Sequence, residues 1–124
     1  MQDFTLEELE WANDVHSLIL LNILRWPKIK REESIFAVDR RLNWVDISRN
    51  RTETSVQLMW SIYNKIERKH ILIHNHPGEC SWPSEGDWNV STLVRKWRHP
   101  CAFEMVISGM NLLDVTLYKA KKKK

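Results

Sequence analysis

The segment HNHPGECSWPSEGD, residues 74–87, sets His74 and His76 one residue apart and follows them with Ser84 and Asp87. On an extended strand the side chains at i and i+2 point to the same face, so two imidazoles can be offered to one point. Pro77 and Gly78 turn the chain away. Pro83-Ser84 then opens a helix with Ser84 as its N-cap, and Asp87 falls in the first helical turn. Two imidazoles and a carboxylate make a hydrolytic zinc (Zn2+) site when a fourth position is left to water, whose pKa can fall to about 7. Such a site also needs a general base and a donor for the developing oxyanion, and Ser84 suits the donor role. Singly these residues are ordinary: strand-end histidines, a cap, and an acid offsetting the helix dipole. Their joint spacing, H-x-H-P-x6-S-x2-D, is what selects a metal site.

The remaining elements must hold these residues in place. Thr5-x-x-Glu8 forms a capping box, and Leu9, Ala12, Val15 or His16, Ile19 and Ile23 recur at helical spacing up to Trp26-Pro27. SIFAVD (34–39) reads as a buried strand, with a turn at 40–43 and WVDI (44–47) returning beside it. Thr52 or Thr54 can cap a helix whose apolar face carries Val56, Met59, Trp60, Tyr63 and Ile66. HILIH (70–74) is short and β-rich, hence a strand, and the helix from Ser84 runs to about Arg98. CAFEMVIS (101–108) and LLDVTLY (112–118) form a closing hairpin. The order α-β-β-α-β-α-β-β predicts an α/β (α+β) fold, a mixed β-sheet flanked by helices, in a single domain over residues 1–118.

Composition narrows the function classes. The net charge of +3 arises from Lys119 and Lys121–Lys124; without these five the remaining 14 basic residues face 16 acidic ones, giving −2. The body is near neutral, and residues 119–124 form a basic tail that could touch nucleic acid electrostatically. No apolar stretch reaches the ~18 residues of a membrane span. The acidic start MQDFTLEELE is unlike a secretory signal, and Cys80 and Cys101 form no CxxC pair, so a reducing, cytoplasmic setting is expected. His16, His70 and His99 are read as packing histidines. His70 shares the face of His74 but lies ~13 Å away by strand rise.

At residues 74–87 the chain resembles a known family. His74-Asn75-His76-Pro77 and Pro83-Ser84-Glu85-Gly86-Asp87 are similar to the JAMM (JAB/MPN+) metalloprotease signature, and the form HNHPG…PSxxD looks most like the RadC-like prokaryotic branch. EMVISGMNLLDVTLY is similar to the hairpin that follows the motif there. The likeness spans roughly residues 30–118 and is strong at 70–87. It implies a JAB/MPN-like, cytidine-deaminase-like fold and a zinc ion held by His74, His76 and Asp87. It also implies Ser84 polarising the scissile carbonyl, and a glutamate before the first strand acting as general base. The chain departs from the family in lacking its glycine-rich first strand, in a short segment at 47–54, and in having no long insertion after the motif.

Both Glu32 and Glu33 precede that strand. Counting back from Asp39 favours Glu32 by register, but at most one of the two can face inward, because strand side chains alternate. Two functions follow from the resemblance. One is a zinc peptidase or isopeptidase acting on a protein or peptide substrate, such as a ubiquitin-like C-terminus. The other is a RadC-like metal-binding protein in a DNA-repair or mobile-element context, where the lysine tail would carry weight.

Overall fold

Helix α1 (Leu6–Leu21) starts where the sequence places it. The Thr5 hydroxyl accepts the Glu8 N–H, and the Glu8 carboxylate accepts the Thr5 N–H. Its buried stripe is Glu8, Trp11, Ala12, Val15 and Ile19. Leu9, predicted on that stripe, is exposed instead. The helix turns the larger Trp11 inward, where its ring meets Phe103 edge-on and its indole N–H donates to the Asp39 carbonyl. A 3-10 turn over Ile23–Arg25 ends the segment before Pro27. The computed structural model describes residues 4–120, so Lys121–Lys124 of the predicted tail lie outside the described residues.

The predicted mixed sheet is present. Strands β1 (Ile35–Asp39), β2 (Trp44–Asp46), β5 (His70–His76), β6 (Cys101–Ser108) and β7 (Val115–Tyr118) form one sheet in the order β2-β1-β5-β6-β7. Only β5 and β6 run parallel, and they are joined through α3 (Glu85–Lys96), as a parallel pair requires a crossover. Pleating divides the side chains. Val38, Ile71, Ile73, Phe103, Met105 and Ile107 pack with α1 on one face. Ile35, Ala37, Leu72 and Val94 pack on the other, with Tyr63 of α2 (Trp60–Tyr63).

The helix predicted from Thr52 or Thr54 through Ile66 is mostly replaced by other structure. Strands β3 (Ser48–Arg49) and β4 (Gln57–Leu58) pair as a two-stranded ribbon, with Ser48 opposite Leu58. The Thr52 hydroxyl accepts N–H bonds from Thr54 and Ser55, forming a turn that competes with a cap. Only the four residues of α2 are helical. Among the described residues no helix is long and apolar enough to cross a membrane.

Candidate metal centre

Strand β5 extends two residues past its predicted end, through His76. His74 and His76 consequently share the face that looks toward α3, while Asn75 between them looks the other way. At the start of α3 the predicted cap is formed: the Ser84 hydroxyl accepts the Asp87 N–H, and Asp87 Oδ2 accepts the Ser84 N–H at 2.8 Å. That reciprocal bond pins Asp87 against the strand end. Its Oδ1 lies 3.1 Å from His74 Nε2 and its Oδ2 3.0 Å from His76 Nε2. The three side chains predicted as metal ligands therefore meet at one point.

The ring orientations suit a cation. His76 Nδ1 is 2.9 Å from the Cys80 carbonyl, which can only accept, so Nδ1 carries a proton; Nε2 donates to Asp87 Oδ2 at 3.0 Å and would give up that proton to bind an ion. His74 Nε2 is buried and has no hydrogen-bond partner, although Asp87 Oδ1 lies 3.1 Å away. An orphaned, buried imidazole nitrogen beside a carboxylate is a fit for a metal ion that would take its lone pair. Burial lowers His76, but its hydrogen bond to Asp87 and the bond to Cys80 outweigh this, raising it to about 9. Burial also opposes ionisation of Asp87, yet the imidazoles and the Ser84 N–H hold its carboxyl far below the usual range.

Of the two glutamates predicted as general base, the structure brings Glu33 to the site and not Glu32. Ile35 pairs with His74, and the same antiparallel register carried outward sets Glu33 beside His76. Glu33 is buried, its Oε1 lies 3.8 Å from His76 Nε2, and one oxygen joins the two imidazoles in a group whose ligand atoms lie within 4.8 Å of one another. Burial raises the Glu33 carboxyl, with the nearby imidazoles pulling against it. Glu32 turns outward to Lys28, 3.6 Å away. Counting back from Asp39 favours Glu32, but the strand register places Glu33, not Glu32, nearer the imidazoles.

Asn75, within the motif, carries no role predicted from the sequence. It is fully buried, accepts the Ser34 N–H, and donates to the carbonyls of Ile29 and Glu32. It thereby fixes the segment from which Glu33 projects. Its only sequence signal is its place between the two histidines. Gly109 closes the site from behind, donating its N–H to the His76 carbonyl at 2.8 Å.

The other histidines are packed as expected. His16 bonds the Leu112 carbonyl, His70 bonds Tyr63, and His99 lies against the rings of Trp60 and Tyr63. A cleft of about 330 Å³ opens over the centre, lined in part by Glu33, His74, His76, Ser84, Asp87 and Tyr118. Comparison with known proteins found no matching family model, curated protein or solved structure.

Proposed function

We propose that the protein is a zinc-dependent hydrolase of JAMM type that cleaves a peptide or isopeptide bond. The observation that carries this reading is the convergence of His74, His76 and Asp87 at the mouth of a cleft, with the buried Glu33 carboxylate beside them. His74, His76 and Asp87 would hold the ion. Bound there, zinc would supply Lewis acidity to a carbonyl and lower the pKa of water.

The chain's own residues supply the rest. Glu33, held next to His76, takes a proton from the attacking water and returns it to the leaving amine, a role favoured by its raised pKa. Ser84 is exposed, and its oxygen accepts the Asp87 N–H, which leaves its own proton to donate to a developing oxyanion. The cleft walls are apolar at Ile35, Leu72 and Val90, which orients a substrate and limits water. Its size suits a short stretch of extended chain, such as a flexible C-terminal tail of a ubiquitin-like protein. Free thiols at Cys80 and Cys101 are in keeping with a cytoplasmic setting.

The test is a fusion substrate ending in a flexible Gly-Gly tail. Cleavage that stops with chelator and returns with zinc is the expected result. Cleavage persisting in excess chelator, or none on any peptide tail with zinc bound, would overturn the proposal.

A further inference from the structure

The cleft over the metal centre carries charge of one sign. Carboxylates line it at Glu33, Glu53, Glu79, Asp87 and Glu104, and no lysine or arginine lines it. Three of these already have partners: Arg95 donates to Glu104, the imidazoles of His74 and His76 flank Asp87, and Glu33 lies 3.8 Å from His76 Nε2. Glu53 and Glu79 are different. Both are exposed, and among the described residues no cation pairs with either, since nearby Arg51 turns to Asp46 and Lys28 to Glu32.

The backbone brings both carboxylates to the site. The Glu33 N–H donates to the Thr52 carbonyl at 2.8 Å, so Glu53 follows directly beside Glu33 on the ribbon loop. Glu79 lies on the turn after β5, where its carbonyl accepts the Ser108 hydroxyl at 2.7 Å. Its charge reaches Glu33, whose carboxyl is raised chiefly by burial, with Asp87 and Glu79 adding to the rise against the imidazoles. A separate observation marks the cleft as a ligand site. His74 lines it with a side chain only 9% exposed, and its Nε2 has no hydrogen-bond partner.

We propose that Glu53 and Glu79 are specificity residues that draw a lysine or arginine of a peptide substrate to the cleft, beside the bond held at the metal centre. Carboxylates of one sign in a cleft with apolar walls concentrate cations there. Because both are open to water, an ammonium or guanidinium can pair with them while keeping part of its hydration, and avoids the penalty of a buried charge. The methylene stem of such a side chain can lie on Val56 and Val90, which line the same cleft. A nucleic-acid backbone meets only like charge in it. The position beside a scissile bond rests on the peptidase reading, but the charge preference in binding needs no metal.

The test is an amide NMR titration of the full chain, without zinc, with the capped peptide Gly-Lys-Gly-Gly-Lys-Gly and with its glutamine and glutamate counterparts. The lysine peptide should shift signals of Thr54, Gly78 and Val90 and bind about tenfold more tightly than the glutamine peptide, as two exposed ion pairs predict. The glutamate peptide should bind more weakly still, and about 0.5 M salt should bring the three together. The Glu53→Gln/Glu79→Gln double variant should lose the preference. A Glu10→Gln/Glu67→Gln double variant, equal in net charge but altered at exposed positions outside the cleft, should keep it. Equal affinities for the lysine and glutamine peptides, no binding of any peptide at millimolar concentration, or the same loss in both double variants would overturn the proposal. A lysine preference in a protein that takes up no zinc would keep these specificity residues and remove the hydrolase reading. Zinc-dependent cleavage without the preference would do the reverse.

Discussion

Glu33 stands across the β1–β5 strand pair from His76, with 3.8 Å between its Oε1 and the imidazole Nε2. The relation follows from antiparallel register: Ile35 is paired with His74, so the residue two before the one lies beside the residue two after the other. Glu32 falls on the opposite side and pairs with Lys28. Glu33→Gln should lower peptidase turnover by about a hundredfold or more, within the ~10²–10⁴ typical of general acid–base catalysis, while keeping its zinc and its melting temperature. Glu32→Gln should remain active. Zinc loss in Glu33→Gln would instead make Glu33 a ligand.

Metal content separates ligands from bystanders. One zinc per chain is expected by elemental analysis, and His74→Ala, His76→Ala and Asp87→Ala should each lose most of it. Ser84→Ala should retain zinc but lose about 1 kcal/mol of stability, because its hydroxyl caps α3. Full retention in the double histidine variant would remove the site.

Gly109 tests the backing of the site. A Cβ there would lie 2.6 Å from the carbonyl oxygens of both Ile29 and Pro77, and neither backbone can yield cheaply. Gly109→Ala should cost about 1–3 kcal/mol in urea unfolding, in the range of overpacked interiors. It should also weaken zinc binding, since the Gly109 N–H holds the His76 carbonyl. Wild-type stability with wild-type zinc affinity would show that the backbone yields there.

His70 makes stability depend on pH. Its Nδ1 donates to the Arg68 carbonyl, so Nε2 accepts from the Tyr63 hydroxyl in the neutral ring. Burial lowers its folded pKa below the ordinary 6.5, with His99 adding to the effect and the Arg68 bond and Asp39 opposing it. The unfolded chain then binds the proton more readily. Stability is complete above about pH 6.5 and is lost as pH falls below it. The melting temperature should drop on acidification, and His70→Gln should flatten that part of the curve. An unchanged acid slope in His70→Gln would assign the loss to other groups.

What the sequence by itself determined was whatever neighbouring residues decide among themselves. Thr5 and Ser84 cap their helices because each bonds an N–H three residues on. His74 and His76 share a face because a strand alternates, and Asp87 reaches them because the same cap that starts α3 points its carboxylate back. The mixed sheet followed from the order of short apolar runs and turns. Tertiary structure decided whatever depends on pairing between distant segments. It chose Glu33 over Glu32 through a register set against β5, some forty residues away, and it braced that choice with Asn75. It rotated α1 so that Trp11, not Leu9, meets the sheet, and it drew residues 48–58 into a ribbon in place of a helix. Local rules act over a few residues through backbone geometry, whereas register, helix rotation and buried charge are settled by which surfaces exclude water from one another.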